Sequence, residues 1–215
     1  MARARNELDR SVALFEEQFE ELQDYAPNNV VKASLARVEP LWFEYRTLAI
    51  MTPTQRGAAQ MLQKNNALLQ ACHQVVIDLQ NTADRKSAEM VNVSGRQRML
   101  SQRIAAYYFA QAWGFRDPKY VETFTKAREE YGAGLNRLIG FERNSVELRT
   151  ALKRVEAQWQ FATTGFDQLE DGNYVPHVIA VTTSGMLKKM DEITALYETL
   201  DTTLAREGLA STAAP

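Results

Sequence analysis

Between Asn92 and Arg103 the chain reads Asn-Val-Ser-Gly-Arg-Gln-Arg-Met-Leu-Ser-Gln-Arg, its densest set of side chains suited to holding an anion. At about 100° per residue on a helix, Val93, Gln97, Leu100, Ile104 and Tyr107 line one side as a core stripe. Ser94, Gly95, Arg98, Ser101, Gln102 and Ala105 fall on roughly the opposite side, which is small or polar with one arginine at its centre. Glycine weakens a helix interior, and small side chains let a second helix come close. An arginine at such a contact is costly to bury unless something anionic meets it. Its planar fork of donors suits an oxyanion, and Ser101 and Gln102 add donors beside it. The expected chemistry is recognition of a small anion between two helices that approach across Gly95, with Arg98 side chains converging on it. The residues alone leave a second reading open, in which Arg98 is a solvated helix arginine and Ser94-Gly95 mark a bend. Arg96 and Arg103, on a third face flanking the core stripe, read as salt-bridge partners or lids rather than ligand contacts.

Other groupings carry less. Cys72 and His73 are adjacent, so on a helix they point about 100° apart and make a poor metal pair; a buried thiol beside an incidental histidine is expected. His177, just after Pro176, reads as a first-turn helix residue with a structural or solvent role. Glu16, Glu17, Glu20 and Glu21 form a charged helix face without the Glu-x-x-His companions of a di-iron centre. Trp42, Trp113 and Trp159 are expected as core anchors, and Tyr107-Tyr108-Phe109 as packing at a bundle's end. With no nucleophile elbow, P-loop or Gly-rich fingerprint, the chain is expected to be no enzyme and to need no cofactor and no metal.

These residues must be positioned by helices, because apolar residues recur at helical spacing between a few clusters of Gly, Pro and Asn. Leu8, Val12, Phe15, Phe19 and Leu22 make a stripe over about 7–25, closed by Ala26-Pro27-Asn28-Asn29. Further helices are expected at about 30–50, with Pro40 inside as a kink point, and at about 55–83, after Thr52-Pro53-Thr54. Then follow about 90–113, closed by Gly114 to Pro118, and about 119–140, 145–169 and 176–206. The third helix is expected to continue into the fourth, and Glu207–Pro215 to fray.

The chain also repeats itself. Leu35-Ala-Arg-Val-Glu-Pro-Leu-Trp42 matches Leu152-Lys-Arg-Val-Glu-Ala-Gln-Trp159, and Met61-Leu-Gln-Lys64 echoes Met186-Leu-Lys-Lys189, in the same order. The fold expected is all-α, an antiparallel helical bundle in two tandem related halves of three and four helices. The first half, 1–85, lacks a counterpart of the Met90–Trp113 helix, by truncation or divergence; the second occupies 86–206 and a tail 207–215.

The string from Asn92 to Ala105 resembles the signature of the PilJ-type domain, the N-terminal domain of type IV pili methyl-accepting chemotaxis transducers. It is also similar to the P-box helix of nitrate/nitrite sensor histidine kinases, sharing Gly-x-x-Arg-Met-x-Ser-x-Arg. The resemblance implies a periplasmic four-helix sensor domain, with Arg98 matching the ligand-binding arginine at a dimer interface and Gly95 the glycine before it. It further implies a membrane-bound kinase or chemoreceptor as output partner. The chain departs from that pattern in carrying one motif helix and neither a transmembrane segment nor a kinase or methyl-accepting region.

Composition is ordinary for a folded soluble protein and disfavours other classes. Of 215 residues 45% are hydrophobic and 24% charged, with a formal net charge of −2, which disfavours a nucleic-acid binder. A single cysteine forbids an intrachain disulfide, and the N-terminus lacks the apolar stretch of a signal peptide. The function expected is a ligand-sensing input domain that binds a nitrate- or nitrite-like anion in a homodimer. The alternative is a ligand-independent helical interaction or scaffold protein.

Overall fold

The computed structural model describes residues 2–83, 88–170 and 175–212. They form seven helices: α1 Ala2–Tyr25, α2 Asn29–Ile50, α3 Gln55–Ala83, α4 Ala88–Ala112, α5 Pro118–Ile139, α6 Val146–Glu170 and α7 Pro176–Thr212. No strand occurs among the described residues, so the all-α expectation holds. The last helix runs past Arg206 to Thr212, where a frayed tail was expected. The expected continuity between the third and fourth helices falls on 84–87, outside the described residues.

The breaks follow local chemistry. Asn28 caps α2: its Oδ1 accepts from the backbone N–H groups of Val30 and Val31, both at 3.0 Å, and its Nδ2 donates to Thr82 Oγ1 at 3.0 Å. One side chain thus ties the start of α2 to the end of α3. Asp117 caps α5 through Lys119 N–H at 3.0 Å, with Pro118 at the first helical position. Ser145 stands just outside α6 as its cap, accepting from Leu148 N–H at 3.1 Å. Gly114 takes φ +95° to close α4, a conformation that L side chains resist. Pro40 lies within α2 on an exposed side, as does Ala36, whose carbonyl loses its helical donor.

The helices group into two compact units, Met1–Asp84 and Arg85–Pro215. In the first, α2 and α3 run antiparallel around Val31, Leu35, Val38, Leu68 and Val75. Helix α1 lies along α2, where Phe15 stacks on Trp42 with centroids 3.8 Å apart and Glu16 pairs with Arg46 at 2.6 Å. Phe15, Phe19, Leu22 and Trp42 stay only partly covered.

In the second unit four helices alternate in direction. Helix α4 packs against α5 on one side and α7 on the other, while α6 completes the set against α5 and α7. Tyr108, Phe124 and Phe166 meet at 5.5 to 6.4 Å in the core, and Tyr131 lies 4.4 Å from Trp159. Tyr197 donates to Asn144 Oδ1 at 2.7 Å, and Asn144 Nδ2 donates to the Leu138 carbonyl at 2.7 Å, so a buried polar bridge binds α7 to the α5–α6 turn.

Two glutamines sit over glycines of the neighbouring helix. A Cβ on Gly134 of α5 would lie 1.8 Å from Gln97 Nε2, and a Cβ on Gly185 of α7 would lie 2.4 Å from Gln158 Nε2. Gln158 also donates to the Thr182 carbonyl at 2.9 Å and accepts from Lys189 Nζ at 2.7 Å.

Candidate functional site

Helix α4 divides the face on which Ser94 to Ala105 were expected to lie together. Its inner half is core: Ser94 and Ser101 are fully buried and Ala105 nearly so. The Ser94 hydroxyl donates to the Val91 carbonyl at 2.9 Å and the Ser101 hydroxyl to the Arg98 carbonyl at 2.7 Å. Both hydroxyl protons are therefore spent on their own helix, and neither serine is offered to a ligand. This corrects the expectation of an open small-residue stripe. The unit's own helices enclose it, with α7 returning alongside α4, and small side chains are what so close an approach requires.

The outer half forms a rim. Gly95 has nothing within 4 Å of where a Cβ would stand, so no packing inside the chain calls for a glycine there. Gln102 is exposed and its Nε2 donates to the Thr183 carbonyl and to Ser101 Oγ, each at 3.3 Å. Between them Arg98 Nη2 pairs with Asp191 Oδ1 of α7 at 3.0 Å, the two side chains 42% and 62% exposed. The Arg98 Nε–H is buried and has no acceptor. The guanidinium is thus half committed: one nitrogen holds a carboxylate and another is still unfilled.

The remaining cations of the helix are engaged elsewhere. Arg96 pairs with Glu130 of α5 at 2.8 Å, as expected of a flanking arginine, and the Arg103 guanidinium lies 6.0 Å from the Tyr107 ring centroid. Gln97, read from sequence as part of the core stripe, is buried, and its Oε1 has no donor. Gly95, Arg98 and Gln102 share the outer half of the helix, while Ser94 and Ser101 are buried on its inner half, Ser101 still meeting the Gln102 amide. Sequence reasoning missed Asp191, which sits in Lys188-Lys189-Met190-Asp191 with no motif to mark it. Only the antiparallel return of α7 puts it opposite Arg98.

The other candidates resolve simply. Trp42 and Trp159 belong to aromatic stacks, but Trp113 is 47% exposed and so is no core anchor, because α4 ends beside it at Gly114. Tyr107 and Tyr108 are buried. Cys72 is half-buried, and burial pushes its thiol pKa up. His177 is exposed in the first turn of α7. Glu16, Glu17, Glu20 and Glu21 are all exposed. Among the described residues no three or more His, Cys, Asp or Glu are placed to hold a metal. No helix there is long and apolar enough to cross a membrane.

Residues 79–164 match the family model of the type IV pili methyl-accepting chemotaxis transducer N-terminal domain, which spans α4, α5 and most of α6. Neither a curated protein nor a solved structure matches the chain.

Proposed function

Because residues 79–164 carry a PilJ-type domain, we propose that the second unit is a signal-input module that senses a small oxyanion of the nitrate or nitrite kind at the Arg98 rim of α4. The half-committed guanidinium carries this reading: a partly exposed arginine with a buried Nε–H lacking an acceptor has binding capacity that the chain does not use. Planar oxyanions fit that fork with two parallel hydrogen bonds. Gln102 extends the rim with a further amide. Open space at Gly95 lets a helix of a second copy approach, so the reading includes a homodimer in which Arg98 of each subunit faces the ligand. Ser94 and Ser101 are no part of it.

The proposed setting is periplasmic, with a membrane-bound kinase or chemoreceptor as output partner and no catalysis. The two units are read as tandem related copies. Trp42 and Trp159, which the repeat aligns, each pack against an aromatic ring of the preceding helix, Phe15 and Tyr131, which supports that reading.

Calorimetry tests the site with sodium nitrate, nitrite, sulfate and phosphate, on the wild type and on Arg98→Ala and Arg98→Lys. Binding by the wild type, lost at least tenfold in Arg98→Ala and only partly restored in Arg98→Lys, is expected. A wild type that takes up none of these anions would refute the reading. A second reading, a ligand-independent helix-pairing surface, draws on the open Gly95 and the exposed Trp113 at the end of the same helix. Light scattering that shows a dimer without anion, undiminished in Arg98→Ala, together with silent calorimetry, would favour it.

A further inference from the structure

We propose that Asp191 sets the affinity of the Arg98 site and couples it to α7, acting as a resident counter-ion that an incoming anion must displace; this rests on the anion reading of Arg98. The ion pair joins two different helices, Arg98 on α4 and Asp191 on α7, at 3.0 Å through Nη2. The guanidinium nitrogen still without an acceptor is Nε. An oxyanion gripping two neighbouring donors uses Nε together with Nη2, so it competes with the Asp191 carboxylate for Nη2. The two negative groups cannot share the arginine cheaply. At about 4 Å in bulk water their repulsion alone lowers affinity about fivefold, and more where the rim excludes water.

Occupation of the site therefore means release of Asp191. Of the α4–α7 contacts at this level, the Gln102 to Thr183 hydrogen bond lies further along the helices and is untouched by the exchange. The ion pair is the contact the anion competes for, which makes it the point at which a bound anion alters how α7 is held against α4. Energetically the exchange is favourable only because both side chains are partly exposed and the released carboxylate returns to water. Asp191 is a positioning residue in this scheme: it acts on the ligand through Arg98.

The experiment is calorimetric titration of nitrate into wild type, Asp191→Asn, Asp191→Glu, Arg98→Ala and Asp191→Asn/Arg98→Ala, at low and high ionic strength. Helix content is checked by circular dichroism. Asp191→Asn is expected to bind about five- to tenfold tighter, with the gain shrinking as salt screens the removed charge. Asp191→Glu, which keeps the charge, stays close to wild type, and the double variant does not bind. If wild type binds nitrate, Arg98→Ala does not, and Asp191→Asn is unchanged or weaker, the role of Asp191 is overturned while the Arg98 site stands. If neither wild type nor Asp191→Asn binds, the site and this inference fall together.

Discussion

Alanine substitution at two interior helix glycines should move stability in opposite directions. On α4, a Cβ at Gly95 meets nothing within 4 Å, so Gly95→Ala gains the helix propensity that glycine lacks, about 0.5–1 kcal/mol. On α5, a Cβ at Gly134 would stand 1.8 Å from Gln97 Nε2 and 3.0 Å from its Cδ. Gln97 is almost wholly buried, so its amide has no solvent into which to swing and must push into the core. Overpacking of this kind costs about 1–3 kcal/mol. Set against the same propensity gain, the net loss is about 0–2 kcal/mol, and the two variants differ by about 1–3 kcal/mol.

Equilibrium urea unfolding followed by circular dichroism reads both, on the transition of the second unit. Gln97→Ala supplies the control, because removing the amide makes room for the new methyl. In a double-mutant cycle Gly134→Ala and Gln97→Ala should couple favourably by about 1 kcal/mol or more. If Gly134→Ala stabilises as much as Gly95→Ala, or if the cycle is additive, then Gln97 does not rest on that glycine and the account of the α4–α5 contact is wrong.

Further tests reach other parts of the molecule. Asn144→Ala removes the acceptor of Tyr197 and the donor to the Leu138 carbonyl and should cost about 1–3 kcal/mol, seen as a lowered Tm of the second unit. Hydrogen bonds from Ser34 and then Gln74, with the nearby Arg37 charge, hold the Asp78 carboxyl below its usual pKa. A depressed folded-state pKa gives stability that is present above the unfolded value and lost as pH falls through the folded one. Asp78→Asn should therefore flatten the acid limb of first-unit stability, measured by denaturant midpoints across acidic pH. Burial pushes the Tyr197 phenol up to about 12, against a hydrogen bond to Asn144 that lowers it, and burial raises Tyr131 as well. Both contributions are intact below pH 10, the unfolded value, and fade as pH rises beyond it. Tyr197→Phe should weaken that alkaline loss, followed by phenolate absorbance together with helix signal.

Much of the fold was legible because helix ends are local events. Asn28, Pro53, Gly114 and Asp117-Pro118 act through their own backbone geometry or their own side-chain caps, so a string of residues suffices to place the breaks. The candidate site was legible only in part, because periodicity says which residues share a side of α4 and not which helix meets that side. Ser94 and Ser101 looked like partners of Arg98 on a helical wheel. They are separated from it by a few tens of degrees of rotation, enough to put them under the unit's own packing while Arg98 reaches the rim. Asp191 was invisible for the same reason: its meaning depends on a helix arriving from far along the chain. Trp113 failed differently, since an aromatic residue at a helix terminus can be left outside by the turn that follows.

The glutamine-on-glycine seats give the second unit a mechanical grain. Each works as a key cut through one hairpin, α4 into α5 and α6 into α7, and a key that fills its slot resists sliding along the helix axis. Neither key crosses from α4 to α7. Along that seam α4 and α7 pack closely over buried serines whose hydroxyls turn back on their own helix, with the Gln102 to Thr183 hydrogen bond and the Arg98–Asp191 ion pair towards the edge. The keys thus hold each hairpin in register along its own axis, whereas α4 and α7 are held by close packing and by polar links that reach the rim beside Arg98.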